Sequence, residues 1–194
     1  MAVMLLVMSA CGWDSSPNID ALRTKAELGD ADAQARLGLI YQRGLDVPQD
    51  YQEAARLYRA AAEQGHLMAQ YSLGGMYYTG QGVPQDYEEA IRWYQDCAEQ
   101  GNVPAQNNLG WLYATAEELS FRDPNKAIEY AKKAVEGSQG KQPEYLDTPA
   151  EAYYTNGEYD MAIQTIREAL TLRPDWDYLT EQLQKFQQAK EQAK

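Results

Sequence analysis

Residues 33–51 read AQARLGLIYQRGLDVPQDY, residues 69–87 read AQYSLGGMYYTGQGVPQDY, and AQNNLGWLY opens a third copy at Ala105. Gly29, Gly65 and Gly101 keep the same 36-residue interval, so the chain is built on an internal repeat. In each copy a Leu-Gly pair (Leu37-Gly38, Leu73-Gly74, Leu109-Gly110) is followed three residues after its glycine by Tyr41, Tyr77 or Tyr113. Apolar residues at this interval share one face of a helix. In the first two copies a Val-Pro-Gln-Asp-Tyr turn follows, and Ala54 and Ala90 then open a second apolar helix that carries Tyr58 and Tyr94. Each copy is predicted to be a helical hairpin.

Local chemistry supports the hairpin. Asp30, His66 and Asn102 stand one residue after the spaced glycine, just before the first helix, where short polar side chains cap free amides. Asp50 with Glu53, and Asp86 with Glu89, have the spacing of a capping box at the start of the second helix. Gly38, Gly74 and Gly110 lie inside the first helix, where glycine costs ~1 kcal/mol against alanine, so close approach of the hairpin's two helices is expected to compensate. Ala54, Ala61, Ala90 and Ala98 are small in the same sense.

The pattern A-x-x-x-L-G-x-x-Y, a G-x-x-V-x-x-D loop and an alanine-rich second helix resemble the Sel-1-like repeat, a relative of the tetratricopeptide repeat. The resemblance covers residues 18–136: a half-repeat in which Leu22 and Ala26 align with Tyr58 and Ala62, then three full repeats. The third departs, because Tyr113 to Asp123 is one residue longer than Tyr77 to Asp86 and Ala116 replaces Gly80. After a polar break, residues 143–174 resemble an ordinary tetratricopeptide unit, with Asp147 expected as the cap and Pro149 in the first helical turn, where proline is tolerated. Residues 175–194, with Leu179, Leu183 and Phe186 as an apolar stripe, are expected to form a capping helix. The resemblance implies an all-α fold, a right-handed α-solenoid of such hairpins.

Residues 1–11 read MAVMLLVMSAC, an apolar run too short for a bilayer, which needs ~20 residues, but long enough for a secretory signal. Its end resembles the lipobox of bacterial lipoproteins, although Met8 stands where leucine is usual and no Lys or Arg precedes Arg23. The resemblance implies lipidation at Cys11, with residues 12–17 as a tether and Gly12 favouring the outer membrane. A cytoplasmic location is the alternative.

Composition narrows the function. With 44% hydrophobic and 24% charged residues the chain has the balance of a globular protein. A net charge of −12 repels phosphate backbones, so no nucleic-acid partner is expected. One histidine and two cysteines are too few for a zinc cage or a disulfide framework. His66 reads as a helix cap and Cys97, aligned with Ala61 and Ala134, as a small buried residue. Glu117-Glu118 and Asp147 with Glu151 read as solvated helix surface. No catalytic residue, cofactor or metal is assigned.

What remains is the surface that the first helices line, the concave face in this superfamily. Its candidate residues are Arg36, Arg43, Tyr71, Tyr78, Asn107, Asn108, Trp111 and Tyr154, a mixture of amide, guanidinium and aromatic groups suited to recognition. The expected function is a non-catalytic, monomeric scaffold of the bacterial cell envelope that binds a protein or peptide and meets the membrane only through a lipid anchor. The rival readings are an enzyme or direct modulator of peptidoglycan or β-lactam chemistry, and a cytosolic adaptor.

Overall fold

The computed structural model describes residues 18–140 and 142–193, so Cys11, the apolar segment 1–11 and the tether 12–17 lie outside the described residues. Among the described residues ten α-helices follow one another: α1 Ile19–Glu27, α2 Ala31–Arg43, α3 Tyr51–Ala62, α4 Leu67–Thr79, α5 Tyr87–Glu99, α6 Val103–Thr115, α7 Pro124–Gly137, α8 Glu144–Thr155, α9 Tyr159–Leu172 and α10 Asp177–Gln192. Several begin on a short polar side chain that caps a free amide. Asn18, Asp30 and Asn102 accept from the amides of Ala21, Ala33 and Ala105 at 3.0, 2.9 and 2.9 Å. His66 takes the same role, its Nδ1 3.3 Å from the Ala69 amide, while its Nε2 lies 3.1 Å from Asp32.

The second helices start on aspartates, but only half of each expected capping box forms. Asp50 accepts from Gln52 and Glu53 at 3.0 Å, Asp86 from Glu89 at 3.1 Å and Asp123 from Lys126 at 3.0 Å. The reciprocal bond is pre-empted, because the amides of Asp50, Asp86 and Asp123 already donate to the carbonyls of Tyr41, Tyr77 and Tyr113 at 2.9, 3.0 and 3.0 Å. Glu53 and Glu89 turn instead to Arg56 and Arg92. The repeated tyrosine thus ties the end of one helix to the start of the next through its backbone.

The chain divides into two compact units, one ending at Ala69 and the other starting at Gln70. In the first, α2 packs on α1 and α3 around Ala26, Ala33, Leu37 and Leu57. Buried Gln34 donates to the Ala26 carbonyl at 3.0 Å and accepts from Gln64 at 2.8 Å. In the second, α6 packs on α5, α7 and α8, and α9 packs on α8 and α10. Leu146, Ala150, Tyr153, Ile166, Leu179 and Phe186 fill its carboxyl-terminal core.

The helical glycines mark contact points. A Cβ on Gly38 would lie 3.0 Å from the Tyr58 ring, and one on Gly74 would lie 2.8 Å from the Tyr94 ring. In the third copy Ala131 takes the place of those tyrosines, so backbone comes in instead: a Cβ on Gly110 would lie 3.0 Å from the Ala131 nitrogen and 3.1 Å from the Ala127 oxygen. The same copy has its own loop. Gly80 adopts a left-handed conformation (φ 71°), whereas Ala116, for which that conformation is sterically unfavourable, is extended (φ −46°, ψ 135°). The chain then makes a short 3-10 turn at Leu119–Phe121, and Arg122 donates to the Ala116 carbonyl at 2.7 Å.

One boundary differs from expectation. Helix α8 starts at Glu144 with Pro143 before it and no side-chain cap, so Asp147 is not the cap and Pro149 lies inside the helix. The amides of Tyr145 and Leu146 donate to Gln142 and Pro143 at 3.1 Å, a tight first turn that starts the helix upstream of Asp147. This frees the Asp147 side chain.

Candidate functional site

In the second unit Tyr71 and Tyr78 from α4 and Asn107, Asn108 and Trp111 from α6 are all partly exposed. Asn108 is an internal strut, its Nδ2 donating to the hydroxyls of Tyr71 at 3.2 Å and of Tyr94 at 3.3 Å. The Tyr71 and Tyr94 rings meet at 6.0 Å between centroids. Tyr94 itself is buried, and burial raises its pKa, so its hydroxyl stays protonated. Tyr78, Tyr94, Asn108 and Trp111 enclose a small open cavity of about 90 Å³. Sequence reasoning names three of these four and places Tyr94 only on the packing face of the second helix.

Helices α4 and α6 contain no charged residue, so the surface around the cavity is aromatic and amide in character. Charge returns at α8. Tyr154 is stacked on Phe186 at 4.9 Å between centroids and lies beneath the Lys185 ammonium, so it serves to dock α10. Arg36 and Arg43 lie on α2, at least partly open to solvent, and belong to the first unit.

Asp147 and Glu151 are not solvated surface. Glu151 is buried and its two oxygens lie 2.8 and 2.9 Å from Lys185 Nζ. Asp147 Oδ2 accepts from the Tyr178 hydroxyl at 2.8 Å, while its Oδ1, like Asn107 Oδ1, is buried and has no hydrogen-bond partner among the described residues. The carboxylates face α10 because α8 starts before Asp147; their i,i+4 spacing is legible in the sequence, but the helix that covers them is not. Glu117 and Glu118, by contrast, are exposed. Cys97 is fully buried and burial pushes its thiol up to about 11, which suits packing and not nucleophilic attack.

The fold defines a class, the helical-hairpin repeat proteins of tetratricopeptide type, and its all-helical order is that of the Sel1-like and tetratricopeptide-like solenoids. Within that class the chain belongs to the Sel1 repeat family, whose repeat matches residues 31–66, 67–102 and 103–138, more than half of the sequence. It is similar to a protective antigen present in uropathogenic Escherichia coli strains that displays an SLR fold (33% identity, 80% of this chain, 33% of that chain, TM-score 0.66). It is also similar to a Sel1 repeat protein from Oxalobacter formigenes (30% identity, 79% of this chain, 63% of that chain, TM-score 0.63). A thermophilic TPR protein of Thermus thermophilus shares the fold at 22% identity (88% of this chain, 96% of that chain, TM-score 0.52). The chain spans about a third of the length of the first of these and under two thirds of the second. No curated protein matches it.

Burial pushes the Asp147 carboxyl up to about 6, against the lowering effect of the Tyr178 hydrogen bond and with the Glu151 charge adding to the rise. The folded protein therefore holds this proton more tightly than the unfolded chain, whose carboxyl titrates near ~4, and stability from this group is full below pH ~4 and lost as pH rises to ~6. Asp147→Asn should flatten that slope and raise the unfolding free energy at pH 7.5 by about 1–2 kcal/mol, as read by urea titration between pH ~4.5 and ~7.5. An unchanged slope would contradict this account.

Proposed function

We propose that this chain is a non-catalytic scaffold that binds a protein or peptide partner on the first-helix face of its second unit, around Tyr71, Tyr78, Asn108 and Trp111. Sel1 repeat proteins are scaffolds that typically mediate protein interactions, which supports the class of function. The observation that carries the location is the open cavity beneath Tyr78 and Trp111, set in a charge-free stretch of α4 and α6. Aromatic side chains offer large contact area with few rotatable bonds, the usual make-up of an interaction hot spot.

The proposal extends to the cell envelope, with Cys11 as a lipid anchor and the folded part held close to the membrane, the outer membrane being favoured by Gly12. The apolar run before Cys11 supports it. Six tether residues reach at most ~20 Å when extended.

Two measurements test this. A photo-crosslinker placed at Tyr78 in living cells should trap a distinct protein that the same group at exposed Glu88 does not; equal adducts at both positions, or none, would remove the face from consideration. Labelled palmitate should enter the protein and vanish in Cys11→Ala, and an unlabelled wild-type protein would remove the anchor.

A further inference from the structure

The two units contain the same tyrosine in two different situations. Tyr58 and Tyr94 are 36 positions apart, and each lays its ring against the helical glycine of its hairpin, Gly38 or Gly74. In the first unit the Tyr58 hydroxyl donates to the side-chain carbonyl of Gln42 at 2.8 Å. The position 36 residues after Gln42 is Tyr78, whose side chain has no amide to offer. The Tyr94 hydroxyl accepts from Asn108 Nδ2, and among the described residues nothing accepts its hydrogen. Tyr94 lines the cavity of about 90 Å³ together with Tyr78, Asn108 and Trp111.

A buried hydroxyl that lacks an acceptor is costly, and its chemistry states what would relieve it. Burial keeps Tyr94 in its protonated, donating form. A protonated basic group has no lone pair for this hydrogen, and a carboxylate would lose its hydration among uncharged side chains with no cation on α4 or α6 to meet it. An amide carbonyl is neutral, accepts one hydrogen bond well, and is what the first unit supplies to the equivalent hydroxyl.

We propose that this cavity is a receptor for the side-chain amide of a glutamine or asparagine in the partner, which presents its carbonyl to the Tyr94 hydroxyl between Tyr78 and Trp111 as Gln42 does to Tyr58. The proposal rests on the reading of this face as the partner-binding surface. It makes Tyr94 a specificity residue that sequence reasoning misses.

The test pans a library of acetylated, amidated decapeptides, randomised one position at a time, on the full chain and on Tyr94→Phe. The phenylalanine ring keeps the packing on Gly74 and removes only the hydroxyl. Wild type should enrich Gln or Asn at one position by about fivefold to tenfold, the worth of one neutral hydrogen bond. Tyr94→Phe should lose that enrichment while preferences at the other positions persist, which also shows that the variant is folded. Enrichment of Gln or Asn that survives in Tyr94→Phe, or enrichment of other residues alone, overturns the proposal. A uniform weakening of all peptides by Tyr94→Phe, with no preference for Gln or Asn, assigns the hydroxyl to a main-chain carbonyl and also overturns it. Absence of enrichment at every position overturns the binding face itself and this proposal with it.

Discussion

The structure depends on how closely the two helices of each hairpin can approach. Glycine in the middle of a helix costs ~1 kcal/mol in propensity, and three copies of the repeat accept that cost at one position. The gain is contact: a tyrosine ring fills the space over Gly38 and Gly74, and the α7 backbone fills it over Gly110. Close packing of this kind leaves little room for a methyl group, so a larger residue at this position would force its neighbours to shift. The other repeated features follow from it. The rings that settle on the glycines carry their hydroxyls across to the first helices, and the carbonyls of Tyr41, Tyr77 and Tyr113 reach the aspartate amide that precedes the next helix.

Much of this is legible in the sequence because it is periodic. The 36-residue interval, the caps at Asp30 and Asn102 and the apolar stripe of α10 are local signals, and the structure bears each of them out. Local signals mislead where they meet a tertiary competitor. The capping boxes at Asp50 and Asp86 are half-formed because the carbonyl of Tyr41 or Tyr77, at the far end of the loop, holds the amide that the glutamate would have taken. Asp147 has the spacing of a cap before a proline, yet the helix starts at Glu144 and the carboxylate meets α10. No spacing rule links Asp147 to Tyr178 or Glu151 to Lys185 across such distances in sequence.

The candidate site divides in the same way. Tyr71, Tyr78, Asn108 and Trp111 are legible as positions on one helical face, and the structure brings them together. Their division of labour is not. Asn108 holds two hydroxyls in place and is a positioning residue, while Trp111 and Tyr78 flank the cavity. Tyr154 is occupied with α10. What differs between otherwise equivalent copies, Gln42 against Tyr78 and Tyr58 against Tyr94 in their hydrogen bonding, locates the feature that a repeat average would hide.

The close-approach account is tested most directly by comparing two glycines with opposite surroundings. A Cβ on Gly110 would meet backbone at 3.0 and 3.1 Å, whereas one on Gly75 would meet only the Tyr94 hydroxyl at 3.4 Å. Urea unfolding should show Gly110→Ala losing about 1–2 kcal/mol despite its better helix propensity, and Gly75→Ala gaining up to ~1 kcal/mol. A Gly110→Ala protein as stable as Gly75→Ala would show that the hairpins do not depend on glycine at their contact points.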